Sequence, residues 1–251
     1  MHDTARRIGR LFFETYCSDG PCAILEIGSQ DVNGALRNEA PPGCRYIGVD
    51  LAAGAGVDIV LERPSELPFD NEDFDAVVSS SCFEHDAMFW VTFLEMLRVT
   101  KPGGLVYINT PSNGAYHAYP VDNWRFYPDA AVALVGWAIC QGYEVELVES
   151  FIARRIGDQW NDCIMVFRRD RDAAPIAQRV VDHLPGARNI RRSLDGDVEQ
   201  REELTEDMLL LAAARKNLAA REAEIAKLTA ALRSAETRFA AASAKWVGFD
   251  C

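Results

Sequence analysis

Two apolar patterns alternate over the first two thirds of the chain. Short apolar runs bounded by Gly, Pro, Asp or Asn mark strands of a largely buried sheet. They fall at Ala23 to Ile27, Arg45 to Val49 with Asp50 at its end, Val57 to Leu61, Phe74 to Ser80, Leu105 to Asn109, Glu144 to Ser150 and Asp162 to Arg168. Between them, helical spacing appears in Thr4 to Cys17, where Ile8, Leu11, Phe12 and Tyr16 share a face, and in Phe89 to Thr100, where Phe89, Phe93, Met96 and Leu97 do. A further helix is expected to begin in the Asp31 to Asn38 region, and a buried helix to span Asp129 to Gln141. Lys101-Pro102-Gly103-Gly104 is expected to separate the preceding helix from the fifth strand. This alternation predicts an α/β fold: a Rossmann-like, seven-stranded, mostly parallel sheet with helices on both faces, spanning residues 1–169.

A third pattern follows. Residues 170–197 are charged and broken by Pro175 and Pro185-Gly186, and read as a linker. In 198–247, Leu204, Leu211, Leu218, Ile225, Leu232, Phe239 and Trp246 recur every seven residues. Ala214, Leu228, Ala235 and Ala242 hold the companion position, which Asp207 and Arg221 interrupt. A sustained seven-residue repeat predicts a coiled-coil helix, and with it a homo-oligomer or a partner protein.

Composition narrows the function classes. The 251 residues are 49% apolar, ordinary for a globular core, and carry a formal net charge of −12. That charge disfavours a nucleic-acid partner, which needs a clustered basic surface. Seven scattered cysteines with no C-x-x-C pair read as reduced thiols of a cytoplasmic protein. The most apolar window, Ala130 to Cys140, is too short to span a bilayer, so no membrane insertion is expected.

The strand Ala23 to Ile27, the turn at Gly28 and the acid Asp50, 22 residues after Gly28, make the first half of a nucleoside-binding sheet. A carboxylate at the end of a second strand accepts two hydrogen bonds from a ribose diol. A pyrophosphate is disfavoured. Ser29, Gln30, Asp31, Val32 and Asn33 stand between Gly28 and Gly34, without the second glycine that lets backbone approach a dinucleotide. An NAD-linked oxidoreductase is set aside on that ground.

With Glu26-Ile27-Gly28, Asp50, Leu67-Pro68-Phe69 and Leu97 to Leu105 in this order, residues 20 to 168 resemble class I S-adenosylmethionine-dependent methyltransferases of the type 11-like group. The resemblance implies S-adenosylmethionine as cofactor. Glu26, Gly28 and Ser29 would cradle its methionine half, Asp50 would hold its ribose, and Ser65 and Leu67 would line its adenine, with Leu51, Ser81 and Phe83 also facing the cofactor. Two departures are the absence of further glycines at Gln30 and Val32, and the lack of an acid in Arg63-Pro64-Ser65.

The sulfonium is already an activated donor, so the protein must mainly hold an acceptor in line, with a base if the acceptor is a hydroxyl. Cys82 to Asp86 and the aromatic loop Thr110 to Pro128 reach the expected position. His85, His117 and Asp122 are the candidate catalytic residues, histidine being the usual base near neutral pH. Tyr116, Tyr119, Trp124 and Arg125 are the candidate substrate-binding residues, since aromatic faces alternating with polar groups suit a sugar. Trp124, Phe126 and Tyr127 read equally well as local core of an ordered lid. Asp86, His117 and Asp122 match no recognised ligand spacing, so no metal is expected. The loop resembles methyltransferases of bacterial surface-glycan biosynthesis, which implies a glycan intermediate or other small polar metabolite as acceptor. The competing expectation is a catalytically silent methyltransferase-like scaffold that recruits a partner through its C-terminal coil.

Overall fold

A computed structural model describes residues 2–18, 20, 22–63, 65–157, 159–170 and 175–246, the last three as backbone only. Pro64, residues 171–174, residue 247 and the side chain of Trp246, all used in the sequence assignments, lie outside the described residues. The chain divides into two compact units, Met1–Glu202 and Glu203–Cys251.

The first unit is an eight-stranded sheet in the order β3-β2-β1-β4-β5-β7-β6-β8. Strands β1 (Ala23–Ile27), β2 (Arg45–Asp50), β3 (Ile59–Val60), β4 (Phe74–Ser80) and β5 (Thr100–Pro111) are parallel. β7 (Asp162–Arg169) runs antiparallel to both β5 and β6 (Val145–Ile152), and β8 (Arg188–Arg191) antiparallel to β6. Period-two alternation splits each central strand between two cores. Val77, Val106, Ile108, Met165 and Phe167 face α2 (Phe89–Val99) and α3 (Asp129–Cys140). Ala76, Val78, Tyr107, Ile164 and Val166 face α1 (Asp3–Tyr16), whose Ile8, Phe12 and Phe13 are buried. Each such side chain contributes about 2 kcal/mol by leaving water.

The structure corrects several expectations. No helix forms over Asp31 to Asn38; a single 3-10 turn, Leu36–Glu39, stands there. Asp31 Oδ1 accepts the Gly34 N–H at 2.7 Å, a local turn that competes with helix. The Lys101-Pro102-Gly103-Gly104 stretch does not precede β5 but lies within it, accommodated by a shift of register against β4 between Phe74 and Ala76. α3 is buried on one face only, through Ala131, Leu134, Val135 and Ala138, while Trp137 and Ile139 are exposed. Cys22 and Cys44 form a disulfide, so the thiols are not all reduced. The Ala23↔Arg45 register of β1 on β2 sets these two residues side by side.

The largest correction concerns 170–197. Within it Val180, Val181, Leu184, Ala187 and Ile190 are buried, and β8 is the eighth strand. Buried Glu149 on β6 fixes the 3-10 turn Val180–His183, accepting the N–H groups of Val180 and Val181 at 3.0 Å each. The Tyr16 hydroxyl donates to the same carboxylate at 2.6 Å, and burial pushes the Glu149 carboxyl pKa up. The segment belongs to the sheet domain, which ends near Glu202 rather than at 169.

Among the described residues the second unit holds a 41-residue helix, α4 (Glu206–Trp246). It starts at Thr205, whose Oγ1 accepts the Met208 N–H at 3.2 Å. The seven-residue repeat lies exposed on it, with Leu211, Leu218, Ile225, Leu228, Leu232 and Phe239 all above half exposure. No described helix is long and apolar enough to cross a membrane.

Candidate active site

The order of strands reverses between β1 and β4, and chains leaving their carboxyl ends diverge to open a crevice. Gly28 lines it with φ +77°, and a Cβ at Gly28 would fall 2.6 Å from the Cβ of Cys82. The turn after β1 therefore needs glycine both for its left-handed backbone and for its approach to the loop after β4. Ser29 is buried beside it, and the Gly28 and Ser29 N–H groups both donate to the Val49 carbonyl. Asp50 ends β2, its Oδ2 accepting the Gln30 N–H at 3.1 Å and its Oδ1 the Ala52 N–H at 3.3 Å. Leu51 next to it is 56% exposed.

Glu26 is buried on β1, and its Oε2 accepts the Tyr46 hydroxyl at 2.8 Å. Burial pushes its carboxyl pKa up to about 7. Leu67 and Phe83 are core residues. The Leu67-Pro68-Phe69 segment is pinned to α2 by Arg98, which donates to the carbonyls of Leu67 and Phe69 at 2.9 and 2.8 Å, while Glu95 accepts the Leu67 N–H at 3.0 Å. Ser65 is half-buried in the turn before it, and Ser81 takes a left-handed backbone, φ +53°, after β4.

The candidate catalytic and substrate-binding residues lie on three loops. Cys82 to Asp86 follows β4, and the aromatic loop folds back over it through the Asn123 and Trp124 N–H groups, which both donate to the Glu84 carbonyl. Asn123 Nδ2 donates to the His85 carbonyl at 2.9 Å and Trp124 Nε1 to that of Asp86 at 2.8 Å. His85 and His117 thereby meet edge to face, ring centroids 4.9 Å apart. His85 Nε2 lies 3.7 Å from Glu84 Oε1. Burial pushes the Glu84 carboxyl pKa up to about 8 and moves the His85 imidazole below its usual range.

Asp122 is not a free acid. Arg125 donates to both its oxygens, at 2.5 and 2.7 Å, and the His117 N–H donates to Oδ2 at 2.8 Å. That pairing, led by the Arg125 hydrogen bonds, holds its carboxyl well below the usual range. Asp86 is occupied as well, accepting from the Met88 N–H and the Thr92 hydroxyl. Of the three residues in the local-core alternative only Phe126 is buried; Trp124 packs edge-on against Phe89 and Trp90 of α2 but stays partly exposed, and Tyr127 is exposed. Tyr116 and Tyr119 are exposed as well.

Two residues of this arrangement were absent from the sequence-based site. Glu84 adjoins His85, and only its burial marks it out. Trp160, from the loop between β6 and β7, sets its ring 4.8 Å from that of His117 and 5.8 Å from the Arg125 guanidinium carbon. Gly114 makes room for it, since a Cβ there would fall 1.8 Å from the indole.

The site fits a polar ligand on one further observation. Side-chain oxygens of Ser29, Ser80, Glu84, Asn109 and Thr110 are buried around the carboxyl ends of β1, β4 and β5 without a described hydrogen-bond partner. Such groups are rarely left so in a native protein unless a ligand or water meets them.

Comparison with known proteins agrees with this geometry. Residues 25–108 match the family model described as "Methyltransferase domain". The chain is 37% identical over 120 residues to an uncharacterized methyltransferase of Mycobacterium tuberculosis (strain ATCC 25618 / H37Rv), covering 43% of this chain and 46% of the relative. An uncharacterized methyltransferase of Mycobacterium leprae (strain TN) is 35% identical over 120 residues, 43% and 44% of the two chains. The chain thus spans less than half the length of these relatives. In fold it is similar to the Burkholderia thailandensis 1,6-didemethyltoxoflavin-N1-methyltransferase, solved with 1,6-didemethyltoxoflavin and S-adenosylhomocysteine. The TM-score is 0.55 at 16% identity, covering 67% of this chain and 80% of that one. The family match over residues 25–108 falls on the parallel half of the sheet, from β1 to β5, and the fold as a whole is similar to that of the solved methyltransferase.

Proposed function

We propose that this protein transfers a methyl group from S-adenosylmethionine to an oxygen of a small polar acceptor, a sugar or glycan intermediate being the class that suits its loops. The observation that carries the reading is the meeting of Glu84, His85 and His117 at the carboxyl ends of β4 and β5, with Glu84 and His85 in the loop whose Cys82 packs against the Gly28 turn. S-adenosylmethionine supplies an electrophilic methyl on a sulfonium, a donor that needs no further activation. Gly28 and Ser29 would hold its methionine half, and Asp50 retains acceptor capacity for a ribose diol. Leu51, exposed, would cover the nucleoside, with Ser65 and Ser81 at the crevice edge. Leu67 and Phe83 would shape it from the core.

The residues of the acceptor side orient and desolvate. Tyr116 and Tyr119 are exposed where a sugar's C–H face would stack, and Trp160 walls the cluster behind His117. An acceptor hydroxyl must shed its proton as the methyl arrives, and Glu84, His85 and His117 are the groups at hand to bear that charge. Asp122 and Arg125 position His117.

The test is calorimetry with S-adenosylhomocysteine. Wild-type protein binds it and Asp50→Ala binds it more weakly; wild-type protein that gives no heat at millimolar ligand overturns the reading. In the same reading α4 sets the oligomeric state.

A further inference from the structure

Glu84, His85 and His117 each offer one ligand atom, a carboxylate oxygen and two imidazole nitrogens, and these lie within 4.8 Å of one another. We propose that the three side chains form a binding site for a divalent transition-metal ion.

His85 has the protonation pattern of a metal ligand. Its Nδ1 hydrogen-bonds the Val121 carbonyl, which can only accept, so Nδ1 carries the proton and Nε2 keeps its lone pair on the side of Glu84. A backbone carbonyl behind one nitrogen and an open second nitrogen is how metal-bound histidines are oriented. Glu84 is 1% exposed and its Oε2 has no described partner. The neighbouring cation, Arg125, is spent on Asp122, to which it donates from two nitrogens. A buried carboxylate without a direct ion pair calls for a cation or a proton.

His117 completes the set from the opposite loop. Its Nδ1 lies 3.4 Å from an Arg125 nitrogen, which can only donate, and 3.5 Å from Asp122 Oδ2, which can only accept; metal binding through Nε2 selects the tautomer whose Nδ1–H faces Asp122, with that carboxylate as the outer support. Trp160 closes the apolar side. Two imidazoles and one carboxylate suit Zn, Fe, Co or Ni, whereas Mg and Ca prefer oxygen alone. Ligand atoms around a tetrahedral zinc sit about 3.4 Å apart for bonds of roughly 2.1 Å. Closing from 4.8 Å therefore asks each side chain to move by well under the width of an atom. An ion there would leave positions open for an acceptor's oxygens and would acidify a bound hydroxyl, making His85 a ligand rather than a free base. That consequence rests on the proposed methyl transfer; the site itself does not.

The test uses the untagged full chain, stripped with chelator and titrated with Co(II) and Zn(II), so cofactor and acceptor play no part. The expected result is about one ion per chain, with visible d–d bands for Co(II) that Zn(II) abolishes. Glu84→Gln and His117→Ala lose that uptake, and circular dichroism reports their folding. His117 is 37% exposed and tolerates truncation, so it keeps the test decisive if Glu84→Gln misfolds. His183→Ala and His2→Ala, the two remaining histidines, retain the ion. The proposal falls if the wild type takes up no ion, if His117→Ala binds as well as the wild type, or if His183→Ala or His2→Ala loses the ion equally. The cluster is then a proton relay alone.

Discussion

The proposed cofactor side and the proposed acceptor side are built in opposite ways. The first comes from one contiguous stretch, Ala23 to Asp50: a strand, a glycine turn and an acid at the end of the neighbouring strand. Backbone geometry does most of the work, and little of it depends on residues far along the chain. The second is gathered from residues 82–86, 112–126 and 160, tied by side-chain and backbone hydrogen bonds across 36 or more positions. A ligand common to many proteins can be met by a local motif. A particular acceptor is met by loops, which can vary without disturbing the sheet.

Gly114→Val should separate the two sides most sharply. Its Cβ would enter the Trp160 ring, and its φ of +106° disfavours any side chain. Methyl transfer should fall at least about a hundredfold, as misplacement of about 1 Å does, with S-adenosylhomocysteine affinity unchanged in calorimetry. Loss of both together would show that the sides are not independent. Asp50→Ala should weaken the same ligand by about 2 kcal/mol, roughly thirtyfold, the contribution of hydrogen bonds to a charged group. In that variant His85 and His117 should keep their wild-type NMR shifts.

A pH titration of cofactor affinity gives a smaller effect. Glu26, raised by burial to about 7, is protonated below that pH in the ligand-free protein. A bound ammonium favours its ionised form, so affinity should rise about tenfold per unit up to pH 7 and level off above it. Glu26→Gln should flatten the profile; an unchanged profile would remove Glu26 from the cofactor side. The same raised pKa contributes stability to the ligand-free protein that is present in acid and lost as pH rises through about 7. The smallest effect belongs to truncation after Glu202, at the unit boundary. It should leave both sides intact, with ligand affinity unchanged within error and a lower native mass by light scattering.

Where the sequence was legible, the reason is local. β1 and β4 lie where their apolar runs place them, and α1 and α2 within a residue of expectation, because burial with period two or 3.6 is written in neighbouring residues. Gly28 and Asp50 were legible for the same reason. The sequence also laid down the Leu-rich repeat of α4, whose exposure the structure displays.

What escaped depended on partners distant in the chain. The 170–197 segment looked like a linker because its charges hide Val180, Val181 and Ile190, and only the buried Glu149 carboxylate explains how they are held. The Cys22–Cys44 pair follows from strand register rather than spacing. Asp122, one of the candidate catalytic residues, is bound by Arg125, while Glu84, within the stretch after the fourth strand but not singled out there, is the buried acid beside His85. By itself the sequence determined the positions of seven of the eight strands and the glycine turn after the first. Tertiary structure alone decided which carboxylates are paired and which histidines meet, because hydrogen-bond partners and desolvation arise only when separate loops close over one another.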